Sequence, residues 1–87
     1  MGKRFSDGEW DGVVEHFALS EREAETLALL LDDRETKEIA DTLGVGYSTA
    51  RTYISRVFGK LHVNRRTAAI TRTFDAHLQL RRDRSPG

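Results

Sequence analysis

The sequence predicts an all-α fold of four or five short helices in one domain, and three observations carry that expectation. Apolar residues recur at the three- and four-residue spacing of a helix face rather than in strict alternation. Helix start and stop signals punctuate the chain at short intervals. The 87 residues include one proline, seven glycines and no cysteine, with 32% charged side chains. A chain of this length buries only about 60–65% of the surface that its unfolded form exposes, so its core is marginal and a partner would add to it.

Met1 to Gly8 is polar and contains glycine, and reads as a loose opening. Trp10, Val13, Val14 and Phe17 then follow at i, i+3, i+4 and i+7, one face of a short helix or arm ending near residue 18. Ser20 with Glu23 forms a capping box, in which each side chain satisfies a free amide of the first turn, and Leu19 precedes it as a possible staple. Ala24, Leu27, Leu30 and Leu31 make the apolar stripe of the second helix, with Glu21, Arg22 and Glu25 in water. Asp32-Asp33 stops it, because aspartate tolerates the left-handed conformation needed there. Thr36 is the expected cap of a short third helix with Ile39, Ala40 and Leu43 inward, and Gly44 supplies the positive φ that ends it.

Gly46 or Ser48 opens the next helix, Tyr47 to about Leu61. Ala50, Ile54, Val57, Phe58 and Leu61 share its inner face. Ser48, Thr52, Ser55, Arg56 and Gly59 lie opposite, with Arg51 on the flank, so this outer face offers donors and cations and no carboxylate. A last helix runs from about Arg66 to Leu80 with Ile70, Phe74 and Leu78 inward, and residues 81–87 read as a basic, disordered tail.

Charge divides the chain in two. Residues 1–43 hold five Lys/Arg and twelve Asp/Glu, a net of −7, whereas residues 44–87 hold nine against two, a net of +7. The formal total of zero therefore conceals a face suited to an anionic partner. An eight-residue helix, a glycine turn and a longer helix with a polar outer side also make a helix-turn-helix. Ala40 must be small for a close crossing, and Ile39, Leu43, Val45, Ala50 and Ile54 must be apolar to hold the crossing angle. The outward side of the second helix of the pair can then enter a major groove about 12 Å wide.

Residues 19–80 resemble the LuxR/FixJ/GerE-type DNA-binding domain of bacterial transcription regulators. The matching stretches are Leu19-Ser20-Glu21-Arg22-Glu23, Thr36-Lys37-Glu38-Ile39-Ala40, Ser48-Thr49-Ala50-Arg51-Thr52-Tyr53-Ile54-Ser55, Lys60-Leu61-His62-Val63 and Arg66-Thr67-Ala68-Ala69. The resemblance implies a four-helix bundle, here with a short extra N-terminal helix, that recognises promoters as a sequence-specific regulator. It implies base reading by Arg51, Thr52 and Ser55, with Arg51 best suited to guanine. Phosphate contacts are implied at Lys37, Thr49, Tyr53, Arg56 and Lys60. A homodimer through the last helix is implied too, with Thr71, Asp75 and Leu78 at the contact and RNA polymerase as a further partner. Arg66 matches a family position, and its structural alternative is a bond to a carbonyl or to Glu23. The chain departs from the family at Asp33 and His62, where glycine is usual, at Gly46-Tyr47, where a hydroxyl cap and an acidic residue are usual, and at Gly59, where a basic residue is common.

Other classes fare less well. His16, His62 and His77 lack metal-ligand spacing, and there is no nucleophile elbow or phosphate loop, so neither an enzyme nor a metal or other cofactor is expected. The absence of cysteine excludes disulfides and thiolate chemistry. No apolar run approaches the roughly 18 residues of a membrane span, and no basic start leads into an apolar stretch. The expected location is therefore the cytoplasm, at the nucleoid. Two alternatives stay open: region 4 of a sigma factor, and a protein-binding anti-activator that has kept the bundle.

Overall fold

The computed structural model describes residues 5–84, and they form five helices: α1 (Asp7–His16), α2 (Glu21–Leu31), α3 (Thr36–Leu43), α4 (Tyr47–Leu61) and α5 (Arg66–Arg84). No strand occurs among the described residues. The all-α expectation holds, and both boundaries of α4 fall where its apolar periodicity places them.

Two capping boxes of the same design start α1 and α2. Ser6 Oγ accepts from the Glu9 N–H at 3.2 Å while Glu9 Oε1 accepts from the Ser6 N–H at 2.9 Å. Ser20 and Glu23 repeat these distances at α2. The first box corrects the reading of a loose opening: Asp7 and Gly8 are helical and Phe5 is buried, because its ring finds aromatic partners far along the chain. Residues 1–4 lie outside the described residues.

The cap of α3 is also corrected. Thr36 is already helical and Glu35 precedes it; the Glu38 carboxylate accepts from the Glu35 N–H at 3.0 Å. Turns close with left-handed residues: Ala18 (φ 54°), Asp33 (φ 60°), Gly44 (φ 70°) and His62 (φ 59°). Asp33 thus does what its sequence position requires. His62 adopts the same conformation at the other site where a glycine is usual.

Leu27, Leu30, Ile39, Val57 and Leu61 are fully buried where α2 and α3 pack against α4, joined by Val13 from α1. Buried Thr26 and Thr73 donate their hydroxyls to the Arg22 and Ala69 carbonyls, each at 2.8 Å, so neither leaves an unpaired polar group in the core. Helix α1 lies against α5. The Phe5 ring stands 5.2 Å from Phe74 and 4.7 Å, edge-on, from His77, and Trp10 lies 5.9 Å away. Two expectations about α5 fail here. The helix continues through Arg84, so Arg81 to Arg84 are helical instead of a loose tail, and 85–87 lie outside the described residues. Leu78, expected inward, is 49% exposed.

Candidate nucleic-acid interface

Helix α4 owes its two-sidedness to its spacing. Ala50, Val57 and Leu61 are buried and Ile54 and Phe58 half-buried, so the core fixes the rotation of the helix. That rotation leaves Ser48, Thr49, Arg51, Thr52, Ser55, Arg56 and Gly59 exposed as one surface without a carboxylate. All three expected base readers, Arg51, Thr52 and Ser55, stand on it. Thr52 Oγ1 donates to the Ser48 carbonyl at 3.1 Å, which leaves its oxygen as an acceptor and its methyl outward-facing chemistry for a thymine.

The expected phosphate contacts divide. Lys37, Thr49 and Arg56 are exposed, and neither Lys37, Arg51 nor Arg56 has an ion-pair or hydrogen-bond partner among the described residues. Tyr53 is half-buried, with its ring packed against the core. Lys60 is engaged elsewhere: its Nζ lies 2.6 Å from Glu23 Oε1 and 2.7 Å from the Ala18 carbonyl, tying the end of α4 to the start of α2. The Lys60 hydrogen bond, followed by the Ser20 N–H, holds the Glu23 carboxyl below its ordinary range, against the opposing effect of burial. Arg66 donates to the Arg34 carbonyl, the structural alternative foreseen for it, and Arg72 Nε donates to the Leu61 carbonyl at 3.2 Å.

These bonds sort the cations. Lys60, Arg66 and Arg72 hold helices together, whereas Lys37, Arg51 and Arg56, near the helix-turn-helix, have no side-chain partner among the described residues. Composition alone could not separate the two groups, because the partners of Lys60 lie 37 and 42 residues away. Thr71, Asp75 and Leu78 share one exposed face of α5 at i, i+4 and i+7 spacing. Sequence reasoning missed Tyr47 as a surface feature: at 56% exposed it is, with Leu78, one of two exposed large hydrophobic residues among those described. Its place before the first inward residue of α4, Ala50, was the available signal.

No group of three His, Cys, Asp or Glu among the described residues could hold a metal ion. No helix among them is long and apolar enough to cross a membrane.

Residues 18–73 match the family model of bacterial regulatory proteins, luxR family. The transcriptional regulatory protein DesR of Bacillus subtilis is 47% identical over 55 residues, which cover 63% of this chain and 28% of DesR. The spore germination protein GerE of the same organism is 42% identical over 52 residues, covering 60% of this chain and 70% of GerE. The DNA-binding transcriptional activator DevR/DosR of Mycobacterium tuberculosis is 37% identical over 70 residues, covering 79% of this chain and 30% of that protein. The chain thus spans about three-tenths of DesR and of DevR/DosR. No solved structure gives a significant match. With the helix-turn-helix, its exposed cationic face and a family match over most of its length in agreement, the chain belongs to the LuxR family and carries that family's DNA-binding transcription-regulator domain, which is not an enzyme.

Proposed function

We propose that the domain binds duplex DNA as a homodimer, each copy laying α4 in the major groove. Arg51, Thr52 and Ser55 read base edges, Arg51 through a bidentate bond to guanine. Lys37, Thr49, Tyr53 and Arg56 hold the phosphate backbone and set the register of α4 on the duplex. Lys60 leaves the clamp set, because its ammonium already has two partners; its role is to anchor α4. The exposed α5 face of Thr71, Asp75 and Leu78 pairs the two copies, placing their α4 helices about one helical turn, roughly 34 Å, apart on the DNA.

The observation that carries this reading is the outer surface of α4: exposed, free of carboxylates, and holding Arg51 and Arg56 without side-chain partners among the described residues. Exposed arginines also suit an acidic protein partner, but a phosphate-lined groove uses both these guanidinium groups and the hydroxyls beside them. Selection of bound duplexes from a random pool, followed by titration of the winning site, is the test. A shared motif bound well above scrambled DNA supports the reading, and equal binding to every duplex removes base recognition from it.

A further inference from the structure

We propose that Tyr47 is a DNA-backbone contact, its hydroxyl donating to a phosphate that also faces Lys37. The inference rests on the proposed DNA reading and extends it to a residue outside the helix-turn-helix matches. Tyr47 is the first residue of α4 and is 56% exposed, so its ring is not required by the core. Its phenol has no hydrogen-bond partner among the described residues. It borders an open groove of about 420 Å³ shared with Thr36, Lys37 and Arg66, as well as the acidic Asp33 and Glu35.

The groove's charged groups are not equivalent. Arg66 is directed to the Arg34 carbonyl, and Arg34 itself is neutralised by Asp32 at 2.9 Å and Glu38 at 3.5 Å. Among the described residues neither Arg66 nor Lys37 has an ion pair, but only Lys37, on α3, also has no hydrogen bond to direct it away from the groove it lines with Tyr47 of α4. Arg51 follows Tyr47 by one helical turn on the same flank of α4. A backbone strand running past Arg51 therefore meets Tyr47 and Lys37 next, a neutral donor beside a cation. A phenol that donates to phosphate adds affinity without releasing a counterion, and it carries no sequence information.

The test uses the full chain and duplexes selected by the wild-type protein, titrated at several salt concentrations with Tyr47→Phe, Lys37→Ala and Arg51→Ala in parallel. Thermal melting confirms that each variant is folded. Removing one charge-assisted hydrogen bond from each copy weakens Tyr47→Phe binding by about tenfold or more, equally for matched and mismatched duplexes, with the salt slope unchanged. Lys37→Ala, which removes one phosphate contact from each copy of the dimer, makes the slope shallower by about 1.8. Duplexes with single neutral methylphosphonate linkages then locate the contact: at one position wild type loses more affinity than Tyr47→Phe, which loses only the Lys37 share there. Wild-type affinity in Tyr47→Phe overturns the proposal, as does a loss confined to one base pair, which makes Tyr47 a base reader. If Arg51→Ala weakens binding and Tyr47→Phe does not, this inference falls alone; if neither variant changes affinity, the reading of α4 falls with it.

Discussion

Gly59 sits within α4 on its exposed side, and a Cβ built there meets nothing within 4 Å. Glycine in a helix costs about 0.5–1 kcal/mol relative to alanine, so Gly59→Ala should stabilise the domain by about that amount in a denaturant titration. Glu23 is the opposite case, a nearly buried carboxylate whose partners are in place. Its native pKa is depressed, chiefly by the Lys60 hydrogen bond, so its contribution is fully present above its ordinary value of 4.5 and is lost as the pH falls through the lower native value. Glu23→Gln should therefore cost about 1 kcal/mol at pH 7, and the gap to wild type should close on acidification below pH 4.5; a gap independent of pH would refute the ionic role. Arg51→Ala should lower affinity by about 1–3 kcal/mol and relax preference at one base pair. Uniform weakening across all duplexes would instead make Arg51 a backbone contact.

Helices were legible to the extent that their signals are local. Ser20 with Glu23, the Asp32-Asp33 stop, Gly44 and the limits of α4 follow from residues within a few positions of one another. Helix α1 shows where that reading stops. Ser6 and Glu9 form the same box as Ser20 and Glu23, but the apolar residue beside it, Phe5, is buried by Phe74 and His77 on α5, about seventy positions away. The length of α5 was missed for the same reason, since its C-terminal half takes its packing from α1 rather than from its own charged sequence. Half-buried Trp10 beside Phe5 offers a local reporter. Phe5→Ala should shift the Trp10 fluorescence transition to lower denaturant, by about 3 kcal/mol of lost packing if α1 stays docked in the native state, while the helices that carry the interface remain folded by circular dichroism. Coincident loss of both signals would mean that α1 is integral to the cooperative unit.

The assembled domain measures 47 × 23 × 20 Å. Dimerisation through Leu78 predicts that Leu78→Glu shifts sedimentation equilibrium from dimer to monomer and weakens operator binding; an unchanged mass would exclude this face. In a dimer that holds the backbone with Lys37 and Arg56 of each copy, four cations meet phosphates, so log K should fall against log[salt] with a slope of about −3.6. Unlike the candidate base readers, which a family pattern and a helical wheel exposed, the tethering of Lys60 and Arg66 depended on long-range bonds that no local pattern carries.

The family match ends at residue 73, yet Phe74 and His77 pack with Phe5, which precedes its start at residue 18. The two flanks are thus each other's cover. A fragment trimmed to the matched boundaries would lose Val13 from the buried core, and one trimmed at a single end would present an uncapped aromatic seam to its neighbours in solution. Preparative work on this domain should keep both ends together or remove both, and expect clumping from any half-trimmed product.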